Sequence, residues 1–250
     1  SRGLGDVYKR QVRDEWKPLW GKRAVVEDHF NELVIDLVNP AGQPERMQLV
    51  VRGYNDGFAF CYKIPDGKGP CVNVQSELTA YNFAGDYTAW FYNGENHNIG
   101  PEKLTETDGT RLPVMTVKAG DKHYMAIHEA CLETGAPLVL QSKGGESLFS
   151  VASKPTSLSP GYTSAWRVVL YGTTPGVLTD SHLLELLNPD PDSRYDFSWV
   201  KPGLAVWDWR INGAVWDGFT YGMSYPSWVR MVDFAAEQGF KYLVLDANWY

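Results

Sequence analysis

Residues Tyr124–Leu132 read Tyr-Met-Ala-Ile-His-Glu-Ala-Cys-Leu, an apolar run with a carboxylate set into it. The turn signal Ala119-Gly120-Asp121 precedes the run, and a further apolar run, Pro137–Gln141, follows it. A short apolar segment bounded this closely by turn residues reads as a β-strand. Alternation along a strand places Glu129 and Cys131 on one face and His128 on the other. A carboxylate in that setting must be paired, hydrogen-bonded or metal-bound if it is buried. From spacing alone the preferred partner is a salt bridge at a strand edge. One Glu, one His and one Cys in near-adjacent positions do not have the spacing of zinc ligands.

The same grammar extends in both directions. Leu33, Ile35 and Leu37 alternate with Val34 and Asp36 until Asn39-Pro40-Ala41-Gly42 breaks the run. Met47, Leu49 and Val51 alternate in turn, and Phe58–Ile64 ends at Pro65-Asp66-Gly67. Further runs at Thr88–Tyr92, Pro113–Lys118, Ser147–Ala152 and Trp166–Tyr171 are separated by polar turns such as Asp108-Gly109 and Gly144-Gly145. Many closely spaced strands predict an antiparallel sandwich, and no fixed repeat points to a propeller or solenoid. Asp180–Leu187 is a short helical pattern, capped by Asp180 or Ser181 and stopped by Asn188-Pro189-Asp190-Pro191. A domain boundary is placed near Asp192.

Beyond it the period changes. Leu204–Trp207 reads as a strand buried on both faces. Pro226 opens a helix whose apolar positions are Trp228, Val232, Ala235 and Ala236, and Gly239 closes it. Lys241–Asp246 is the next strand. Strand, helix and strand make a βαβ unit, which implies a parallel sheet. The strand ends carry Trp207-Asp208-Trp209 and Asp246-Ala247-Asn248-Trp249. In such domains functional groups sit at the C-terminal ends of strands. A carboxylate there can bond sugar hydroxyls and an indole can stack on a sugar face. Trp207, Asp208, Asp246 and Trp249 are therefore the candidate substrate-binding residues, with loop capping and packing as the plainer alternative.

Composition narrows the function. With a formal charge of −7, general nucleic-acid or anionic-membrane binding is disfavoured. No run of about 18 apolar residues could span a membrane as a helix. Three cysteines, Cys61, Cys71 and Cys131, are too few for a disulfide scaffold. Ten Trp are many for this length and suit sugar ligands, or simply a Trp-rich core. No GxSxG, P-loop, CxxC or HExxH motif occurs, and Gly53–Gly57 is a turn rather than a phosphate loop. Ser1–Gln11 (SRGLGDVYKRQ) back-translates into a string that resembles the adapter of a transposase-based sequencing library. It is set aside as an artefact, and no core contact is expected from it. The expected organisation is residues 1–11 as adapter, 12–192 as a β-sandwich with a linker helix, and 193–250 as the start of a second domain.

Several stretches, in order, resemble glycoside hydrolase family 97. They are Trp20-Gly21-Lys22 with Phe30-Asn31-Glu32-Leu33, and Glu77-Leu78-Thr79 through Thr88-Ala89-Trp90. Then come Ile127-His128-Glu129-Ala130, Ala165-Trp166-Arg167, Leu184–Pro189, Trp199–Gly203 and Leu245–Tyr250. The resemblance implies a mostly β fold, in which an N-terminal β-super-sandwich is followed by the opening βαβ of a (β/α)8 barrel. It implies a calcium-dependent, exo-acting α-glucosidase or α-galactosidase acting on α-linked oligosaccharides, periplasmic or secreted. Members invert through a base or retain through a carboxylate nucleophile, and the carboxylate separation decides which. The resemblance places those catalytic groups on barrel strands beyond Tyr250, so this chain is expected to be an inactive fragment. It also implies that Glu129 is the one Ca2+ ligand drawn from the sandwich, although calcium needs several oxygens. Ala247 and Asn248 depart from the family pattern, which leaves glucose against galactose open. A non-catalytic carbohydrate-binding sandwich is the alternative reading.

Overall fold

A computed structural model describes residues 3–38, 46–95, 98–247 and 249. The expected turn at Asn39-Pro40-Ala41-Gly42 lies outside the described residues. The chain divides into two compact units, one of residues 1–18 and 22–191, the other of 19–21 and 192–250.

In the first unit the strands are β1 (Gly3–Trp16), β2 (Val26–Val38), β3 (Arg46–Tyr54), β4 (Gly57–Lys63), β5 (Val72–Val74), β6 (Ala80–Asn82) and β7 (Thr88–Tyr92). They continue with β8 (Asn98–Lys103), β9 (Asp108–Lys118), β10 (Tyr124–Ala130), β11 (Leu140–Lys143), β12 (Leu148–Val151), β13 (Thr156–Leu158) and β14 (Trp166–Gly172). The main sheet runs β1-β2-β3-β4-β14-β10-β9-β11-β12-β6, with β7 and β8 joined beside β9; β5 and β13 pair separately. Every one of these pairings is antiparallel. Strand β9 is the hinge of the sandwich: Asp108–Arg111 pairs with β11, and Met115–Lys118 pairs with β10.

Period two then builds two cores. Ile127 on β10 joins Phe91, Met115, Val117, Leu140 and Phe149 in the inner cluster. Its neighbour Ala126 turns the other way, with Val50, Cys61, Trp166 and Val168. Helices α1 (Pro175–Asp180) and α2 (Leu183–Leu186) follow the last sandwich strand, and Leu183 and Leu187 cover that second face. The helix expected over Asp180–Leu187 is found as the shorter α2, and α1 lies ahead of it. Ser181 separates them, and its Oγ accepts a hydrogen bond from Leu183 N–H at 3.1 Å.

The segment set aside as adapter is extended. Gly3–Gln11 forms the first part of β1 and pairs antiparallel with β2. Val7 and Tyr8 are exposed and do not enter the core.

In the second unit β15 (Ala205–Trp207) pairs in parallel with β18 (Tyr242–Val244). Between them lie α3 (Asp208–Ile211), a hairpin of β16 (Val215–Trp216) and β17 (Phe219–Thr220), and α4 (Tyr225–Gln238). Pro226 stands at the start of α4 and Gly239 closes it in the left-handed region at φ 71°. The buried stripe of α4 is Ser227, Met231 and Ala235, one residue out of phase with the expected Trp228 and Val232. Val232 is exposed, while Trp228 is half-buried and donates its Nε1–H to Asp208 Oδ2. The expectation that Leu204–Trp207 is buried on both faces is also corrected. Leu204, Ala205 and Trp207 are exposed, because β15 has only β18 beside it among the described residues.

Candidate functional site

Glu129 stands one residue from the end of β10, directly opposite Arg167 on β14. The alternation that buries Ile127 carries Glu129 to the same inner face. Arg167 likewise follows Val169, which packs on the inner cluster. Two charged side chains are thus turned into the sandwich together. His128 faces the other way, and its Nδ1 accepts a hydrogen bond from Glu129 N–H at 2.8 Å. Cys131 is a correction. It packs with the second cluster, on the side of Ala130 rather than of Glu129. Strand β10 ends at Ala130, and Cys131 enters the left-handed region at φ 56°, so strand alternation no longer applies.

The loop after Cys131 completes the surroundings of Glu129. Gly135 lies so close to the Ser164–Ala165 backbone that a Cβ there would sit 2.3 Å from Ala165 N. That approach brings Leu138 N–H back onto Glu129 Oε2, a hydrogen bond of 2.5 Å. Arg167 Nη1 is 3.6 Å from the same oxygen. The rest of the Arg167 fork belongs to Glu77. Nε donates to Glu77 Oε1 at 3.0 Å and Nη2 to Oε2 at 2.7 Å. Glu77 is itself anchored, its N–H donating to Ser153 Oγ at 2.8 Å.

The electrostatics follow from this division. Arg167 is 3% exposed and forms a bidentate pair with Glu77, the strong form of this contact. Its Nη1 and the hydroxyl of Tyr81 are buried with no hydrogen-bond partner. Two carboxylates share one guanidinium, so one negative charge is under-compensated. Burial pushes the Glu129 carboxyl above its ordinary range, opposed by the Leu138 N–H and by Arg167. Burial would lower the Arg167 value, but the hydrogen bonds and charge of Glu77 outweigh it and raise it. A cleft of about 1280 Å³ opens beside the cluster, lined in part by Tyr62, Glu77, Thr134, Ser153, Tyr162 and Arg167.

Calcium takes 6–8 hard oxygen ligands. Among the described residues no group of three or more His, Cys, Asp or Glu is placed to hold a metal. Glu129 offers one hard oxygen donor, but the groups against it are the Leu138 N–H and the Arg167 guanidinium, so the described residues alone do not make a calcium site.

In the second unit the candidate residues Trp207, Asp208 and Asp246 meet one another. Asp208 is wholly buried. Its Oδ2 accepts from Trp228 Nε1 at 2.9 Å and its Oδ1 from Asp246 N–H at 3.0 Å. Asp246 Oδ2 accepts from Trp207 Nε1 at 2.8 Å, and its Oδ1 from Ala247 N–H at 2.7 Å. Both carboxylates therefore knit together the end of β15, the first turn of α4 and the chain after β18. Arg210 lies 5.1 Å over the ring of Trp207. Trp249 is exposed.

Sequence reasoning found Glu129 but assigned no role to Glu77 or Arg167. The signal for Arg167 was the one used for Glu129, a charge inside the apolar run Trp166–Tyr171. Glu77 lies in irregular chain between β5 and β6, and no periodicity marks it.

A family model described as Glycosyl-hydrolase 97 N-terminal matches residues 4–189, a span that opens within the segment expected to be adapter. The chain is 28% identical over 289 residues to a "Retaining alpha-galactosidase" of Bacteroides thetaiotaomicron, covering 98% of this chain and 42% of the relative. It is 29% identical over 272 residues to a "Probable retaining alpha-galactosidase" of Streptomyces bingchenggensis, covering 100% of this chain and 39% of the relative. Among solved structures, a Glycoside Hydrolase Family 97 enzyme in complex with acarbose, from Pseudoalteromonas sp. strain K8, superimposes with a TM-score of 0.77 at 24% identity. That alignment covers 100% of this chain and 40% of the other, and it shows the shared fold. The chain thus spans about two fifths of the length of the proteins it matches.

Proposed function

The chain belongs to glycoside hydrolase family 97 through its N-terminal domain, and on that premise we propose that it is part of a calcium-dependent, exo-acting α-glycosidase that hydrolyses α-linked oligosaccharides. The observation that carries the reading is the family match across residues 4–189, which takes in both Glu129 and Arg167. α-Galactoside is the first substrate to test, ahead of α-glucoside, because both curated relatives are named retaining α-galactosidases. A retaining mechanism needs two carboxyl groups about 5–5.5 Å apart, one as acid and one as nucleophile. In this reading those groups lie outside residues 1–250. The parallel β15–α4–β18 unit is the opening of the (β/α)8 barrel that carries them, and the complete enzyme is periplasmic or secreted.

Within the chain, Glu129 supplies one oxygen ligand to calcium. A calcium ion held there would supply a fixed positive charge, and its other oxygen ligands would have to come from outside the described residues. What Glu129 itself does is hold a carboxylate at the inner edge of β10, braced by Leu138 N–H. In the strand-end set, Asp208 and Asp246 act as staples. The exposed part of Trp207 and Trp249 are the surfaces that meet a sugar ring.

The test is an assay of the complete enzyme on p-nitrophenyl α-galactoside and α-glucoside, with calcium and after chelation. The expected result is α-galactoside turnover that falls on chelation and returns with calcium. In Glu129→Gln the calcium concentration needed for half-maximal rate should rise. Residues 12–250 expressed alone should give no turnover above buffer. Full activity after chelation would overturn the calcium assignment, and turnover by residues 12–250 would overturn the placing of the catalytic groups.

A further inference from the structure

We propose that the cleft beside Glu77 and Arg167 binds a neutral oligosaccharide, with Glu77 and Tyr162 as residues that touch it; the ligand class rests on the α-glycosidase reading above. The cleft measures about 1280 Å³, and its whole wall belongs to the first unit. Small-molecule pockets run to about 300–1,000 Å³, so this one has room for a chain of sugar units rather than a single one.

One part of the wall is pre-oriented. Glu77 lines the cleft with a side chain 19% exposed, and the buried Arg167 grips it from behind through Nε and Nη2. An ionised carboxylate has about four lone-pair sites, two on each oxygen. Arg167 fills one site on each oxygen of Glu77 and leaves one on each. Neighbouring hydroxyls of a sugar ring supply two donors for such a pair of acceptors. Arg167 is the positioning residue here, because it fixes the plane in which Glu77 accepts. Asp208 also accepts on both oxygens, but it is wholly buried and out of reach of a ligand.

The neighbours suit the same ligand. Tyr162 lines the cleft, half-buried, and its hydroxyl makes no hydrogen bond among the described residues. Burial raises that hydroxyl above its ordinary value, so it stays protonated and able to donate at neutral pH. Ser153 Oγ accepts the Glu77 N–H and keeps its own O–H to give. A tyrosine beside hydroxyls and a braced carboxylate matches a ligand with an apolar C–H face and a polar edge. The charges of the wall decide against an anion. Glu77 and Arg167 cancel each other, and the charged residue that remains, Lys154, is exposed and solvated. A single solvated charge adds little to binding.

The experiment is isothermal titration of the 250-residue chain with raffinose, stachyose and maltotriose, with digalacturonate as the anionic comparison and circular dichroism as the check on folding. At least one neutral saccharide should bind, and more tightly than digalacturonate. Tyr162→Ala should weaken that binding roughly 2–10-fold, the range of one aromatic contact, and Tyr162→Phe should restore most of it. Glu77→Gln should weaken it roughly 10–100-fold, the range of hydrogen bonds to a charged group. Trp249→Ala should leave it unchanged. No binding of any neutral saccharide, or tighter binding of digalacturonate, overturns the proposal. So does binding lost in Trp249→Ala and kept in Tyr162→Ala, which places the sugar on the second unit. If Glu77→Gln fails to fold, the Tyr162 variants decide, and equal binding by Tyr162→Ala and wild type overturns the site. The two readings fail separately. Binding by this chain without α-glycoside turnover by the complete enzyme overturns the α-glycosidase reading, and turnover without binding overturns the cleft.

Discussion

The two units treat the same residue types in opposite ways. In the sandwich, Val168 and Phe149 are wholly buried, each between strands that have neighbours on both sides. In the second unit, Leu204 is 67% exposed and Val244 is 43% exposed, flanking a sheet of two strands. The buried charged groups differ as well. The sandwich buries a charged cluster in which one carboxylate is under-compensated. The second unit buries Asp208 with both oxygens hydrogen-bonded. A wholly buried group that is satisfied internally has a structural role and nothing left for a ligand. The difference separates a carboxylate whose two oxygens are both hydrogen-bonded, Asp208, from one that shares a single guanidinium with a second carboxylate, Glu129.

The largest expected effect sharpens the first half of that contrast. Phe149 packs between Phe83 and Phe91 inside the sandwich. Phe149→Ala should cost about 3–5 kcal/mol in urea unfolding of residues 12–250. Trp216→Ala, on a side chain 75% exposed in the second unit, should cost under about 0.5 kcal/mol. Equal costs would break the comparison.

The next effect concerns a satisfied cluster within the sandwich. Glu32 takes Arg10 Nε at 2.6 Å and Arg52 Nε at 2.8 Å. Burial would raise its carboxyl, but the two arginines outweigh it and hold it below the ordinary range. The folded value lies below the unfolded one, so its stabilisation is complete above the ordinary glutamate value of about 4.3. It is lost as pH falls through the depressed folded value. Glu32→Gln should cost about 1.5–3 kcal/mol at pH 7 and should flatten the loss of stability on acidification. A variant whose stability falls as steeply below about pH 4 as wild type would show that Glu32 is not the group responsible.

Much of this was legible in the chain because period two is a strong signal. The strands, the face of Glu129 and the βαβ unit follow from alternation and from turn residues. The misreadings have separate local causes. Cys131 changes sides because its left-handed φ ends β10. The hairpin β16–β17 went unread although Asp217-Gly218, both at positive φ, is a turn signal between Trp216 and Phe219. The buried stripe of α4 takes Ser227 and Met231 in place of Trp228 and Val232, and keeps Ala235. At the site, Glu129 and Arg167 were visible as charges within apolar runs. Their relation to Glu77 depends on a contact spanning 90 residues, and no local pattern encodes that.

A smaller effect tests the second half of the contrast. Asp208→Asn keeps an acceptor for one of its two donors and sets an amide against the other. The cost should be about 1–3 kcal/mol, the penalty of one buried unsatisfied group. It should fall on the second unit alone, read as faster proteolysis within residues 192–250 with the sandwich transition unmoved. A shift of the sandwich transition by the same amount would break the separation between the units.

The smallest effect is expected from the segment that sequence reasoning set aside. Deleting Ser1–Gln11 removes most of β1, an edge strand whose Val7 and Tyr8 are exposed. The backbone bonds it gives to β2 are exchanged for bonds to water, a nearly balanced trade. The deletion also removes the ion pair of Arg10 with Glu32. That arginine side chain is 60% exposed, and such pairs are worth about 0–1 kcal/mol. Glu32 keeps Arg52, which is the better-buried partner. The sandwich should therefore unfold within about 1 kcal/mol of the longer chain, by the same exposed-pair estimate. The truncated chain should also remain monomeric, because β2 already carries Glu32 and Asp36 along its newly opened edge, and charges on an edge strand disfavour pairing with another copy. A loss of stability above about 2 kcal/mol, well outside that estimate, or concentration-dependent association of the truncated chain, would show that the first eleven residues are an integral strand of the sandwich.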